Sequence, residues 1–353
     1  MDKLIISTAQ FEHKSGDKDY NLSVIEKLAK QAAEKGSTVI AFHECSISGY
    51  TFAMHLSKEQ MLDLAEVIPD GPSIRKLTEI AKRYNIAVLS RLFEKDENDN
   101  LFKAHVCVDK NGLVAKFRKL HPFINPYLTP GDSYCVFDLY GWKCGILICY
   151  DNNIIENVRA TTLLGATIIF MPHVTMCTPS TRPGAGFVDP KLWENRENDP
   201  TSLRLEFDGM KGRAWLMKWL PSRAYDNGIY VVFSNPIGMD DNQLKNGCSM
   251  IIDPFGDIIA ECRTLGDDYV TAFEFYINKP VIKMDDTGKG PLPPKPFMLY
   301  APTAVVNNLS AKGWQIKPLS TYERYWVSRL NATFLDKYTR ATELTPTEVV
   351  LVN

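Results

Sequence analysis

Apolar residues along this chain fall into two alternating kinds of run. Short continuous stretches read as buried strands, and longer stretches with apolar positions three or four apart read as helices. Lys3 to Phe11 is the first strand. Polar residues from Asp17 to Asn21 can then cap a helix carrying Leu22, Ile25, Leu28, Ala29 and Ala32, which Gly36 stops. Thr38 to Phe42 is a second strand, so the chain opens as a βαβ-type unit. Ser73 to Tyr84 repeats the helical spacing, with Asn85 as a left-handed stop. Ile86 to Phe93, Leu101 to Val108 and Leu113 to Arg118 form a meander, turned by Lys110-Asn111-Gly112. Cys135 to Leu139 and Lys143 to Ile148 make a hairpin about Tyr140-Gly141. A helix from Ile154 to Leu164 and a strand from Ala166 to Met171 follow. The stretch 177–213 is long and irregular and reads as a lid or specificity insert with local helix. Met210 to Asn227 reads as a helix kinked at Pro221. Tyr230 to Ser234, Ser249 to Ile252, Ile258 to Glu261 and Val270 to Phe275 are the remaining strands.

The pattern changes after Ile277. Residues 278–320 form a Pro-rich arm, with Gly290-Pro291-Leu292-Pro293-Pro294 too rich in proline for regular structure. Tyr322 to Tyr338 regains helical spacing. This gives a main domain over 1–277, the arm, and a C-terminal helix and tail over 321–353 that complete the same domain or a dimer.

Composition narrows the class. The 353 residues carry a net charge of −2, which gives no basic face for nucleic acid. No window holds the ~20 apolar residues of a membrane helix. The opening residues run straight into a strand and are too short for a signal peptide. The eight cysteines are scattered, with neither CxxC pairs nor zinc spacing, so a disulfide framework and a metal are not expected and a reducing cytoplasm fits.

Chemistry concentrates at three strand ends. Gly145 to Ile148 runs into Cys149, where a strand hands over to a helix. A thiol there can attack a carbonyl, with the Tyr150 N–H facing the oxyanion. The blander role is a buried space-filler. Glu44 ends the run Val39 to Phe42 and is either a solvated strand end or a general base held in a cleft. Lys119 ends the meander and is either a solvated cation or an ammonium set beside the thiol. His173, at the end of the strand after Cys149, is either a pocket-lining residue or a hydrogen-bonded core or surface histidine; Tyr50 and Trp193 are weaker candidates for lining the pocket.

Several segments in chain order resemble the carbon–nitrogen hydrolase (nitrilase-like) superfamily, over roughly Leu4 to Phe275. Phe42-His43-Glu44 with Ser48-Gly49-Tyr50 resembles its Phe-Pro-Glu…Gly-Tyr segment. Phe117-Arg118-Lys119-Leu120-His121 resembles its Tyr-Arg-Lys-x-His. Pro130-Gly131-Asp132 and Ile148-Cys149-Tyr150-Asp151 resemble its nucleophile region, and Ser222-Arg223-Ala224 and Gly247 to Pro254 its later pieces. The resemblance implies a four-layer αββα sandwich, a Glu44–Lys119–Cys149 triad, subunits paired through their helical layers as a homodimer or larger homo-oligomer, and no metal or organic cofactor. It implies hydrolysis of a small linear amide or carbamoyl compound through a thioester. A nitrilase, an acyl-transferring relative and a catalytically weakened binding protein of the same fold stay open as alternatives. Two positions depart from the pattern. His43 stands where the family usually has Pro. The loop Phe123 to Thr129 lacks the second Glu that most members carry after the lysine, with Ile124 or Asn125 in its place, so the chain uses Asn125, draws a carboxylate such as Asp189 or Glu194 from the insert, or has altered chemistry.

Overall fold

The structure, a computed structural model, describes residues 4–177, 186–275, 298–300, 316–318 and 349–352. The chain divides into two units, Met1–Ile277 and Asn278–Asn353.

In the first unit, β1 (Leu4–Gln10), α1 (Lys18–Glu34) and β2 (Val39–Ala41) form the expected βαβ opening, with β1 and β2 parallel. The Asp17 side chain accepts from the Tyr20 N–H and so caps α1. α2 (Lys58–Leu64) and α3 (Pro72–Tyr84) precede β3 (Ala87–Lys95), β4 (Leu101–Asp109) and β5 (Gly112–Arg118). Asn85 takes a left-handed conformation and ends α3 as its short polar side chain allows. β6 (Cys135–Leu139) and β7 (Trp142–Ile146) form the second hairpin, followed by α4 (Ile155–Leu163) and β8 (Ile168–Pro172). Then come α5 (Pro190–Glu194), α6 (Pro200–Asp208), α7 (Arg213–Leu216), α8 (Leu220–Tyr225) and β9 (Tyr230–Ser234). A hairpin of β10 (Ile237–Asp240) and β11 (Gln243–Asn246), which the sequence pattern does not show, leads to β12 (Met250–Ile252), β13 (Ile258–Glu261) and β14 (Asp268–Phe275).

Two six-stranded sheets result, ordered β14-β1-β2-β3-β4-β5 and β13-β12-β9-β8-β7-β6. Period-2 alternation decides what each face buries. Val39, Ala41 and Leu89 pack into the core shared with Ile146, Ile169, Val232 and Ile251 of the other sheet. Ile40, Val88 and Val106 point the other way, into a core shared with Ile25 and Leu28 of α1 and Leu77 and Ile80 of α3. Val158 of α4 and Leu220 and Ala224 of α8 join the core from the second sheet's side. The architecture is the four-layer αββα sandwich. Full burial of one such aliphatic side chain contributes about 1.5–3 kcal/mol.

One expected element is replaced. The single helix over Met210 to Asn227 is instead α7 and α8, separated at Met217–Trp219. Pro221 lies in the first turn of α8, where its missing N–H costs no hydrogen bond, so it starts a helix rather than kinking one. The insert contains α5 and α6 as local helices; residues 178–185 lie outside the described residues.

In the second unit, β15 (Met298–Tyr300), β16 (Ile316–Pro318) and β17 (Val349–Val352) form a parallel sheet ordered β15-β17-β16. The expected helix over Tyr322 to Tyr338 and the Pro-rich run 283–296 lie outside the described residues. No helix among the described residues is long and apolar enough to cross a membrane.

Candidate active site

The C-terminal ends of three strands from two sheets deliver the three chemical residues. Glu44 follows β2, Lys119 follows β5, and Cys149 follows β7 as the first residue of a 3-10 turn, Cys149–Asn152. Lys119 Nζ donates to Glu44 Oε1 at 2.9 Å, with both side chains fully buried. Cys149 is partly exposed and has φ of 52°, a left-handed conformation that L side chains rarely adopt.

The scaffold joins the sheets at this point. The Glu44 N–H donates to the His173 carbonyl of the other sheet at 3.1 Å. The Asp151 carboxylate accepts from the N–H groups of Leu120 (3.2 Å) and His121 (3.0 Å) and from His121 Nδ1 (2.9 Å), which ties the turn of Cys149 to the segment of Lys119. The Gly131 N–H donates to the Lys119 carbonyl at 2.8 Å. A Cβ on Gly131 would stand 2.2 Å from the Arg118 carbonyl oxygen, so this close approach requires glycine. Arg223 holds the far side of the turn, donating from Nε to the Asn152 carbonyl at 2.9 Å.

Burial and charge compete at each group. Burial alone would raise the Glu44 carboxyl, but Lys119, Lys103 and Arg91 outweigh it and hold Glu44 well below the usual carboxylate range. Burial opposes the charge on Lys119, yet Glu44, Cys149 and Asp151 carry its pKa above the ordinary value. Burial pushes the Cys149 thiol up to about 11, Glu44 adds to this, and Lys119 and a hydrogen bond from the Val174 backbone oppose it.

Two further cations belong to this site and carry no mark in the hydrophobic pattern of the sequence. Lys103 of β4 is fully buried, 3.5 Å from Glu44 Oε1, with its Nζ 4.1 Å from the centre of the Tyr50 ring. Burial lowers it to about 7, with Lys119 and Arg91 adding to the effect against the pull of Glu44. Arg91 of β3 is also fully buried, contacts Cys45 Sγ through Nη1 and lies over the Phe93 ring. The signal that could have found them lies in the alternation of β4. Lys103, His105 and Cys107 share one face, and Cys107 belongs to the core between the sheets.

The remaining candidates separate. Tyr50 stays at the site beside Lys103. The Tyr150 ring is exposed and packs edge-on against Phe123 at 5.1 Å, making a wall beside Lys119. Asn125 does not take the place of the missing acid. Its amide donates to the carbonyls of Ala53 and Leu56, and its oxygen accepts from the Tyr127 N–H, so its polar atoms hold the loop together. His173 is buried between Trp219 and Phe233 and accepts from Asn152 Nδ2, while its carbonyl anchors Glu44; burial lowers it to about 3, and it is neutral scaffold. Asp189 caps α5, Glu194 is exposed, and Trp193 is buried in the core cluster against which Cys149 packs.

A carbon–nitrogen hydrolase family model matches residues 5–272. The chain is 26% identical over 277 residues to a nitrilase from Pyrococcus abyssi, covering 77% of this chain and 90% of that one. It is 27% identical over 274 residues to the omega-amidase NIT2 of Xenopus tropicalis, with 74% and 85% covered. It is 26% identical over 260 residues to an (R)-stereoselective amidase from a Pseudomonas species, with 72% and 80% covered. Among solved structures, an amidase from Nesterenkonia sp. AN1 bearing acrylamide at its active-site cysteine superposes with a TM-score of 0.58 at 20% identity, covering 77% of this chain and 93% of that one. With the family model spanning both sheets and all three strand ends, the chain belongs to the carbon–nitrogen hydrolase family.

Proposed function

We propose that this protein hydrolyses the carbon–nitrogen bond of a small linear amide through a thioester on Cys149. The observation that carries this reading is the buried Lys119–Glu44 pair, 2.9 Å apart, whose fields act on the Cys149 thiol. In this reading Cys149 Sγ attacks the amide carbon as its proton passes to Glu44. Lys119 and the Tyr150 N–H stabilise the oxyanion. Glu44 then delivers that proton to the leaving amine as the C–N bond breaks. Glu44 next takes a proton from water, hydroxide adds to the thioester, and the Cys149 thiol leaves reprotonated. Because the resting thiol sits near 11, attack and proton transfer are coupled rather than sequential.

The named relatives include amidases and a nitrilase, so a nitrile is the competing substrate class. The test is incubation with a panel of amides and nitriles, read by mass of the intact protein and by ammonia release. An acyl increment on Cys149 with amides, absent in Cys149→Ala, is expected. Glu44→Gln should slow turnover by roughly 10²–10⁴-fold. Ammonia from nitriles alone would move the assignment to a nitrilase. A panel in which nothing labels Cys149 or turns over would leave a binding protein.

A further inference from the structure

Positive charge is in excess around the carboxylate that follows β2. Lys119 Nζ and Lys103 Nζ lie 2.9 and 3.5 Å from the same oxygen, Glu44 Oε1, and Arg91 of β3 acts on that carboxylate as well. All four side chains are fully buried. Unmatched charge in a dry interior is costly, and the ordinary relief is that one group gives up its proton. The surroundings select which one. Arginine stays charged at any ordinary pH. Lys119 is hydrogen-bonded to Glu44, and Asp151 supports its charge as a second carboxylate. Lys103 lacks both supports, and its Nζ makes no hydrogen bond among the described residues. It faces Glu44 and Cys45 after β2, the Tyr50 ring at 4.1 Å, Arg91 of β3, Lys119 after β5 and Cys149 after β7. Burial holds both thiols neutral, Cys45 at about 12 and Cys149 at about 11. Glu44 and the ring face favour the charge on Lys103; burial, the largest influence, opposes it together with Lys119 and Arg91.

We propose that Lys103 is a titrating residue that acts through Glu44, and that the working enzyme is the form in which Lys103 is a neutral amine. This rests on the amidase reading above. A charged Lys103 stabilises the ionised Glu44 and so weakens it as a base. The same charge also favours the Cys149 thiolate, but it ranks directly after Lys119 among the charges on Glu44 and behind Lys119, Glu44 and the Val174 backbone in its effect on Cys149. On balance a charged Lys103 opposes transfer of the thiol proton to Glu44. Loss of its proton to solvent leaves one lysine on that oxygen, the Lys119 hydrogen bond intact, and Glu44 a stronger base.

The experiment records kcat/KM for butyramide, a small uncharged amide, against pH in the wild type and in Lys103→Met, which removes the charge and keeps the length of the side chain. In parallel, protein labelled with 13C at the lysine ε carbons is titrated by NMR. The signal absent from the variant belongs to Lys103, and its midpoint should fall near 7. Wild-type kcat/KM should rise about tenfold between about pH 6 and pH 8, as a single ionisation requires, and the rise should vanish in the variant. The same rise in folded Lys103→Met overturns the proposal, because another group then sets it. A wild-type spectrum in which no lysine signal moves over that range overturns it whether or not the variant folds. If butyramide is turned over with a level profile, only this proposal fails. If the Lys103 signal moves but no amide labels Cys149, the amidase reading fails and takes this proposal with it.

Discussion

At the residue scale, Glu44 and Cys149 were legible because each ends a hydrophobic run where burial would otherwise continue, whereas Lys119, which follows Lys116 and Arg118 on a strand carrying several cations, stood out only through the resemblance. Glu44 follows Phe42-His43 and Cys149 follows Ile148, positions at which a polar or reactive side chain needs a reason. Lys103 and Arg91 were not legible in the same way. A cation within a strand ordinarily reads as a solvated face, and only the register of β4 shows that this face turns inward. Asn125 was misplaced for a related reason, since composition cannot tell an amide that lines a cavity from one that fastens a loop. The electrostatics make a prediction here. Glu44 raises the Cys149 pKa and Lys119 lowers it. The pH–rate profile for alkylation of Cys149 by iodoacetamide should rise toward about 11 in the wild type. Glu44→Gln should shift that profile to lower pH, and Lys119→Met should shift it higher. Unmoved profiles in both variants would show that neither group acts on the thiol.

At the element scale, most strands and the caps of α1 and α3 could be read from the chain, because period-2 burial and polar stop residues are local signals. The helix over Met210 to Asn227 failed because proline was treated as an interruption. Pro221 instead occupies a first turn, where an N–H is not required, and the break falls upstream, at Met217–Trp219, where the Trp215 and Trp219 rings pack edge-on at 5.5 Å. The two placements predict different costs. At the observed position Pro221→Ala should change stability by less than about 1 kcal/mol, in thermal or urea unfolding. Relief of a strained interior kink would instead raise stability by more than that. The β10–β11 hairpin was missed because Ile237 to Asn246 is too short and too polar to show alternation. Its Asp240 is buried by specific partners, accepting from Thr51 Oγ1 at 2.6 Å and lying 3.0 Å from His13 Nε2.

At the scale of the whole catalytic unit, neither sheet owns the site. Thr8 of β1 donates to the Phe233 carbonyl of β9 at 2.8 Å, and Ser234 donates to the Ala41 carbonyl at 3.3 Å, so the two sheets are fastened together directly beneath Glu44. The order of layers could be expected from the resemblance to the nitrilase-like superfamily, but this fastening could not, since threonine and serine in strands carry no sequence mark of their partners. Its consequence is thermodynamic. A ligand that spans Glu44 and Cys149 touches both halves of the sandwich, so its binding energy opposes their separation. Bound at one hundred times its dissociation constant, such a molecule adds about 2.7 kcal/mol to the folded state. The Cys149→Ala protein, unable to form a thioester, should therefore melt several degrees higher in the presence of its true amide and unchanged with the wrong ones. The molecule's own heat resistance becomes a means of finding its substrate before any turnover is observed.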